Sequence, residues 1–261
     1  FANSVIALDA ETGERVWHFQ LTHHELWDYD IPTAPILVDI TVDGVVVKAL
    51  VQLSKQGFAY VLNRETGEPV WPIEERPVAP SDVPWEWTSP TQPFPTKPPA
   101  FERQGVSEND LIDFTPELRA EALQLVENYT LGPIYTPPTL QEPNGNRGTI
   151  ALPSAGGGVN WPGGAVDADA GILFVPSVTR PSLFGLIDGT EGTGTRYHIS
   201  RAAGVPTVRD LPLIKPPYGR ITAIDLTEGE IIWQIPHGET PGYIQAHPDL
   251  QGVDIPKTGI L

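Results

Sequence analysis

Residues 23–30 read His23-His24-Glu25-Leu26-Trp27-Asp28-Tyr29-Asp30, which puts two imidazoles and three carboxylates within eight positions. Such groups bind metal ions or move protons. A single ion would not easily collect His23, His24 and Glu25, because neighbours along an extended chain point to opposite sides. General-base chemistry suits Asp28 or Asp30, beside a ring-bearing cofactor whose site Trp27 and Tyr29 would wall. The same residues also fit an acidic turn whose aromatics pack into the core.

The elements that must hold these groups show themselves through a repeat. Ala7-Leu8-Asp9-Ala10-Glu11-Thr12-Gly13-Glu14-Arg15-Val16-Trp17 recurs as Val61-Leu62-Asn63 through Thr66-Gly67 to Trp71, and again as Ala223-Ile224-Asp225 through Glu228-Gly229 to Trp233. In each copy the Asp or Asn stands four residues before a Gly and eight before a Trp. The apolar, β-branched lead-in reads as a strand. The Asx residue can bond its own backbone and the Gly can take φ > 0, so the middle is a turn. Each unit is therefore a β-hairpin with an aromatic at a fixed place. A weaker fourth copy runs from Val166 and Asp167 through Gly171 to Val175. Repeated hairpins of this kind point to an all-β chain folded as a β-propeller of four-stranded blades, with Trp17, Trp71 and Trp233 buried between neighbours. The alternative is an all-β sandwich with three unrelated Asx turns.

Blades take about 40–50 residues each, and propellers have about four to eight of them. The 261 residues carry about four blade signals and long non-repeating stretches. Phe1 falls in the lead-in to a strand and the chain has no Met, so the expectation is a segment, 1–261, of one larger propeller domain.

A net charge of −17 disfavours nucleic acid and anionic membranes as partners and fits a soluble, acid-surfaced protein. The absence of Cys excludes a disulfide scaffold or a thiolate metal site. No run of 18 apolar residues occurs, so nothing within the sequence reads as a membrane span.

Val45–Leu53 is a nearly continuous apolar run, and Asp43-Gly44 before it signals a tight turn from Ile36–Val42. Prolines crowd the stretch that follows, which reads as a long insertion over 72–147 without regular ladders. Within it, Thr115-Pro116-Glu117 opens a short helix, with Thr115 as N-cap and Leu118, Ala122, Leu125 and Val126 on one stripe. Strand signals return at 148–178. Residues 179–218 read as loop, with the glycine-rich run 188–194 either mobile or closing over a site.

The hairpin ladder resembles the tryptophan docking motif of the pyrroloquinoline quinone (PQQ) dehydrogenases, which are eight-bladed propellers. Trp17-His18-Phe19-Gln20 followed by His23 through Pro32 is similar to that superfamily's active-site segment. The stretches 34–44, the Lys55–Asn63 strand and Ser89–Phe94 also resemble that superfamily, in its membrane-bound glucose dehydrogenase branch. The likeness is greatest to the membrane-bound glucose dehydrogenase branch. It covers most of the chain, strongest over 1–95 and 148–178 and weak over 179–218.

The resemblance carries specific roles. Asp28 would be the general base, taking the substrate hydroxyl proton while hydride passes to the quinone, and would be this chain's metal ligand for Ca²⁺ or Mg²⁺. Lys55, which could otherwise be a solvated strand-end lysine, would stand beside the quinone oxygens. Asn160 and Trp161, in the glycine-rich loop 156–164, would lie at the PQQ edge or simply close a bulged loop. His23 and His24 would line the substrate side or pack. The implied enzyme is periplasmic and oxidises a sugar or polyol, passing electrons to ubiquinone or a cytochrome. The alternatives are an alcohol-oxidising relative or a non-catalytic propeller scaffold. The remaining cation and PQQ contacts would come from the other part of the propeller, and this segment by itself would not hold PQQ. Asp28 and Lys55 are expected within roughly 10 Å of each other in one pocket.

Overall fold

The computed structural model describes residues 1–189, 194–200 and 204–260. The chain opens with β1 (Ser4–Leu8) and β2 (Arg15–Gln20), an antiparallel pair. Next come β3 (Ile36–Val42), β4 (Val45–Leu53) and β5 (Ala59–Asn63), a three-stranded antiparallel sheet. A bridge from Leu62 to Pro69 extends that sheet toward the second hairpin of the repeat. Asp43 and Gly44, at φ 50° and 78°, make the two-residue turn that sets Val42 opposite Val45.

The proline-rich stretch is not free of ladders. β6 (Ile73–Pro77) pairs with β7 (Thr91–Pro95) over five residues. A two-stranded ladder tolerates this, since Pro93 and Pro95 lie two apart and so turn their nitrogens to the same, outer edge. β8 (Gly105–Val106) pairs with β9 (Gly132–Pro133), and α1 (Pro116–Val126) lies between them in sequence. Thr115 caps α1 by accepting from the Leu118 N–H, and Leu118, Ala122 and Val126 are its buried face.

β10 (Thr139–Leu140) and β11 (Thr149–Ala151) precede β12 (Ala165–Asp167) and β13 (Ile172–Val178). The 179–218 stretch, expected as loop, contains β14 (Ser182–Asp188), β15 (Tyr197–Ile199), β16 (Thr207–Val208) and β17 (Leu211–Pro212). β14 sits between β10 and β11, so residues far apart in sequence complete one sheet, a pairing no local pattern announces. Residues 190–193 of the glycine-rich run lie outside the described residues. β18 (Gly219–Asp225) and β19 (Glu230–Pro236) close a four-stranded sheet in the order β12-β13-β18-β19, and a short α2 (Gly242–Gln245) follows.

All four copies of the repeat make the expected turn. The Oδ1 atoms of Asp9, Asn63, Asp167 and Asp225 each accept backbone N–H bonds two and three residues on. Gly13, Gly67, Gly171 and Gly229 all take positive φ. The fourth copy opens no blade of its own: its hairpin, β12-β13, shares a sheet with the third copy, β18-β19. Three sheets therefore carry the repeat among the described residues. They have two strands, three strands plus a bridge, and four strands.

Neighbouring sheets join through the tryptophans. The Trp17 ring lies over Gly67 so closely that a Cβ there would sit 2.7 Å from it, and the Trp17 indole donates to the Arg64 carbonyl at 3.0 Å. Trp71 repeats the contact on Gly229, where a Cβ would meet the ring at 3.1 Å. Trp17 is buried, Trp71 is partly buried and Trp233 is 39% exposed, so burial of all three in equivalent places does not hold. Among the described residues no glycine turn meets the Trp233 ring, which lies instead beside Phe174 with ring centroids 6.0 Å apart. Between the second and third sheets lies a core of Val38, Ala49, Val51, Leu173, Val175 and Ile224. A separate core joins α1 to Ile150, Leu211 and Tyr218.

Candidate active site

The acidic segment lies in the loop between β2 and β3, and its side chains alternate. Trp27 and Tyr29 are fully buried, while Asp28 and Asp30 turn outward. The two rings are anchors. The Trp27 indole donates to the Thr136 carbonyl at 2.8 Å and the Tyr29 hydroxyl to the Pro153 carbonyl at 2.7 Å. Tyr135 packs edge-on against both. These aromatics are core, as one of the two sequence readings has it, and do not wall a cavity. Asp28 has φ 63°, which lets the chain reverse between the anchors.

Lys55 sits in the turn between β4 and β5 and is almost wholly buried. Its Nζ donates to the Asp28 carbonyl oxygen at 2.9 Å and to Asp28 Oδ2 at 3.2 Å, and it pairs with Asp30 Oδ1 as well. Asp28 itself keeps 70% of its side chain exposed. A buried cation thus holds an exposed carboxylate in place, well inside the separation that the sequence led us to expect. Two of the ammonium's three protons go to Asp28 oxygens, and the contact with Asp30 is an ion pair without a hydrogen bond. Gly157, at φ 80°, lets the glycine-rich loop lie across the lysine stem, since a Cβ there would fall 2.5 Å from Lys55 Cγ.

Asn160 and Trp161 belong to that loop but do not touch the pair. Asn160 donates to the Gly156 carbonyl at 2.8 Å and accepts from the Trp161 N–H, so its side chain closes its own turn. The Trp161 ring is 80% exposed. The histidines are engaged elsewhere too. The His23 ring bonds Gln20 and Glu75 at 2.7 and 3.0 Å, and its peptide is clamped by Gln92. The His24 ring stacks on Trp87 at 3.5 Å and meets Glu86 at 3.1 Å. Both imidazoles tie the acidic segment to the 75–92 stretch. Glu25 accepts from the Trp27 N–H and from Asn3. Burial raises its carboxyl above the usual range, and backbone N–H bonds pull against that rise.

Two groups escaped sequence reasoning as partners. Asp30 shares Lys55, and the strict alternation of aromatic and acid over 27–30 was the signal for it. Glu102, buried with Arg220, sits in the proline-rich stretch where no periodicity marked it.

No cluster of three or more His, Asp or Glu suited to a metal occurs among the described residues. A hard cation takes about six to eight oxygens, so the carboxylates of Asp28 and Asp30 fit as part of such a shell. The exposed carboxylate beside a lysine likewise fits one side of a quinone-sized, oxygen-rich cofactor.

Comparison with known proteins identifies the family to which the chain belongs. The family model described as PQQ, glucose/ethanol/alcohol dehydrogenase, beta-propeller domain, matches residues 1–259. The chain is 31% identical over 259 residues to the quinate/shikimate dehydrogenase (quinone) of Acinetobacter baylyi, covering 91% of this chain and 31% of that protein. It is 34% identical over 268 residues to the glycerol dehydrogenase large subunit of Gluconobacter oxydans, covering 91% and 35%. Quinoprotein glucose dehydrogenase of Escherichia coli is 31% identical over 260 residues, covering 90% and 31%. The chain therefore spans about a third of the length of these curated relatives. In fold it is similar to the quinohemoprotein alcohol dehydrogenase of Comamonas testosteroni, with a TM-score of 0.50 at 20% identity over 90% of this chain and 29% of that one. With a match over residues 1–259, the chain belongs to the PQQ glucose/ethanol/alcohol dehydrogenase β-propeller family.

Proposed function

We propose that this chain carries the base-bearing side of the active site of a PQQ-dependent dehydrogenase acting on a hydroxyl of a sugar, polyol or related alcohol. The observation that carries the reading is the exposed Asp28 carboxylate held 3.2 Å from the buried Lys55 amine. PQQ, bound together with Ca²⁺ or Mg²⁺, supplies the hydride acceptor. Asp28 accepts the proton of the substrate hydroxyl, for which a carboxylate open on one side and fixed on the other is suited. Lys55 fixes it through both its side-chain and its peptide oxygen, so the carboxylate does not have to be ordered at the moment of reaction. Asp28 and Asp30 would offer oxygens to the cation, and Asn160 and Trp161 would approach the cofactor edge from the glycine-rich loop. His23 and His24 brace the acidic segment on its far side.

The remaining contacts to cofactor and cation come from the rest of the propeller, whose docking would also cover the exposed Trp161 and Trp233 rings. The product is a lactone, ketone or aldehyde according to the hydroxyl oxidised. Electrons leave to ubiquinone or a cytochrome, in the periplasm. The relatives named for glucose, glycerol and quinate support a polyhydroxylated substrate, and the relative named for a quinone acceptor supports the first route.

The test is Asp28→Asn in the full-length, PQQ-loaded enzyme. The amide is nearly isosteric but is no base, so PQQ stays bound and kcat falls by about 10²–10⁴-fold. Turnover equal to the parent removes Asp28 from the role.

A further inference from the structure

We propose that Glu102 is a positioning residue for the Asp28–Lys55 pair, acting through the lysine turn and the glycine-rich loop; the inference rests on the site reading above. The Glu102 side chain is wholly buried. Its Oε1 accepts from Thr179 Oγ1 at 2.6 Å, from Arg220 at 3.1 Å and from the Arg103 N–H at 2.9 Å. Arg220 also donates to Thr179, which closes a three-membered polar knot at the ends of β13 and β18. Arg103 turns its own guanidinium away, to the carbonyls of Lys215 and Pro216.

The stem of Glu102 touches the site from below. Gly57, two residues after Lys55, lies so close that a Cβ would fall 2.6 Å from Glu102 Cβ. Gly158 approaches from the other side, where a Cβ would fall 2.9 Å from Glu102 Cγ. These two glycines belong to the two segments that enclose Lys55. Gly158 donates to the Lys55 carbonyl at 2.9 Å, and the Phe101 N–H donates to the Gly57 carbonyl at 2.9 Å. The Val178 N–H bonds the Gly158 carbonyl at 2.9 Å, one residue from Thr179. The carboxylate of Glu102 thus pins the third sheet, and its carbon stem spaces the turn and the loop that grip the lysine.

The chemistry argues that this is more than filler. A buried carboxylate and guanidinium are costly to desolvate, and a well-packed apolar pair would fill the same space at no loss of stability. Moreover, Glu102 Oε2 and Arg220 Nε are buried with no hydrogen-bond partner among the described residues. Such a pair fixes relative placement: hydrogen-bond directions hold three segments in register, which apolar contact alone does less strictly.

The experiment reads Lys55 directly, without turnover. In the full-length protein, amine acetylation is followed residue by residue by mass spectrometry. Glu102→Gln is expected to raise the Lys55 rate about tenfold, by loosening the segments that bury it, while exposed Lys48 and Lys97 react as before. Thr179→Val removes the hydroxyl that donates to Glu102 and accepts from Arg220 but keeps the shape and the Glu102–Arg220 pair, so it is the milder variant; it is expected to raise the Lys55 rate about threefold. Thr179→Ser, which restores the hydroxyl, returns the parent rate. In the PQQ-loaded enzyme Glu102→Gln lowers kcat and leaves KM within about twofold, as misplacement of a positioned group does. An unchanged Lys55 rate in a folded Thr179→Val protein overturns the proposal, as does an equal rise at every lysine. A selective rise at Lys55 in a protein that lacks dehydrogenase activity instead removes the functional reading and leaves the positioning role standing.

Discussion

Trp17 and Trp27 are both buried, ten residues apart, and for different reasons. Trp17 belongs to the repeat. It covers Gly67, the glycine of the next copy, and packs with Leu50 and Leu62, so its place follows from a register that the chain states three times. Trp27 belongs to no repeat. Its indole bonds Thr136 and its ring packs on Tyr135, residues from the far end of the insertion. The first joint assembles the scaffold; the second holds Asp28 and Asp30 toward Lys55. In this protein the scaffold is written locally and the site is assembled from a distance.

Tryptophan removal gives the largest contrast. Trp17→Ala and Trp27→Ala should each cost about 3–5 kcal/mol of unfolding free energy, the range for emptying a buried aromatic site. Trp233→Ala in the same 1–261 chain should cost about 1 kcal/mol, since its ring is already partly in water. Denaturant midpoints measure all three, and equal costs for Trp17 and Trp233 would break the view that the next glycine makes the joint.

Glycine substitution sharpens the same point. Gly13 and Gly67 have the same left-handed conformation, at φ 73° and 78°, but a Cβ at Gly13 meets nothing within 4 Å while one at Gly67 strikes the Trp17 ring. Gly13→Ala should cost about 1–2 kcal/mol for the backbone conformation alone. Gly67→Ala should add about 1–3 kcal/mol for overpacking.

The smallest effect lies in the acidic segment. Burial lifts the Glu25 carboxyl above its usual range in the folded chain. A group raised on folding supports the fold while protonated, so its contribution is present below the ordinary carboxylate range and fades as pH climbs through the raised value. Glu25→Gln keeps an acceptor for the Trp27 N–H and should abolish that loss. The stability of the variant relative to the parent should therefore rise from about pH 4 to about pH 7. A difference that stays flat, or runs the other way, would show that Glu25 is not desolvated by the Trp27 fold.

Several features were legible because each is set within a few residues. The Asx-Gly turns at Asp9, Asn63, Asp167 and Asp225 need only a side-chain oxygen and a residue free to take positive φ. The Asp43-Gly44 reversal and the Thr115-Pro116 start of α1 are equally local. Asp28 and Lys55 were singled out by resemblance; nothing in their own pattern measures the distance between a loop after β2 and a turn after β4. Asp30 was visible as a carboxylate but not as the second partner of Lys55.

By itself, then, the sequence determined the repeat, the turn chemistry and the hairpins, since backbone conformation and side-chain period act over two to eight residues, while the family was legible only through the resemblance of its motifs. Only the tertiary structure decided which tryptophans are covered, because that depends on whether another glycine turn arrives to meet the ring. It also decided that the fourth copy joins the third copy's sheet and that β14 completes a sheet begun some forty residues earlier. Above all, it placed Glu102, Thr179 and Arg220 together beneath Lys55. Their bonds span 41 to 118 residues of chain. Contacts of that length form only when separate sheets pack, and no local propensity encodes them.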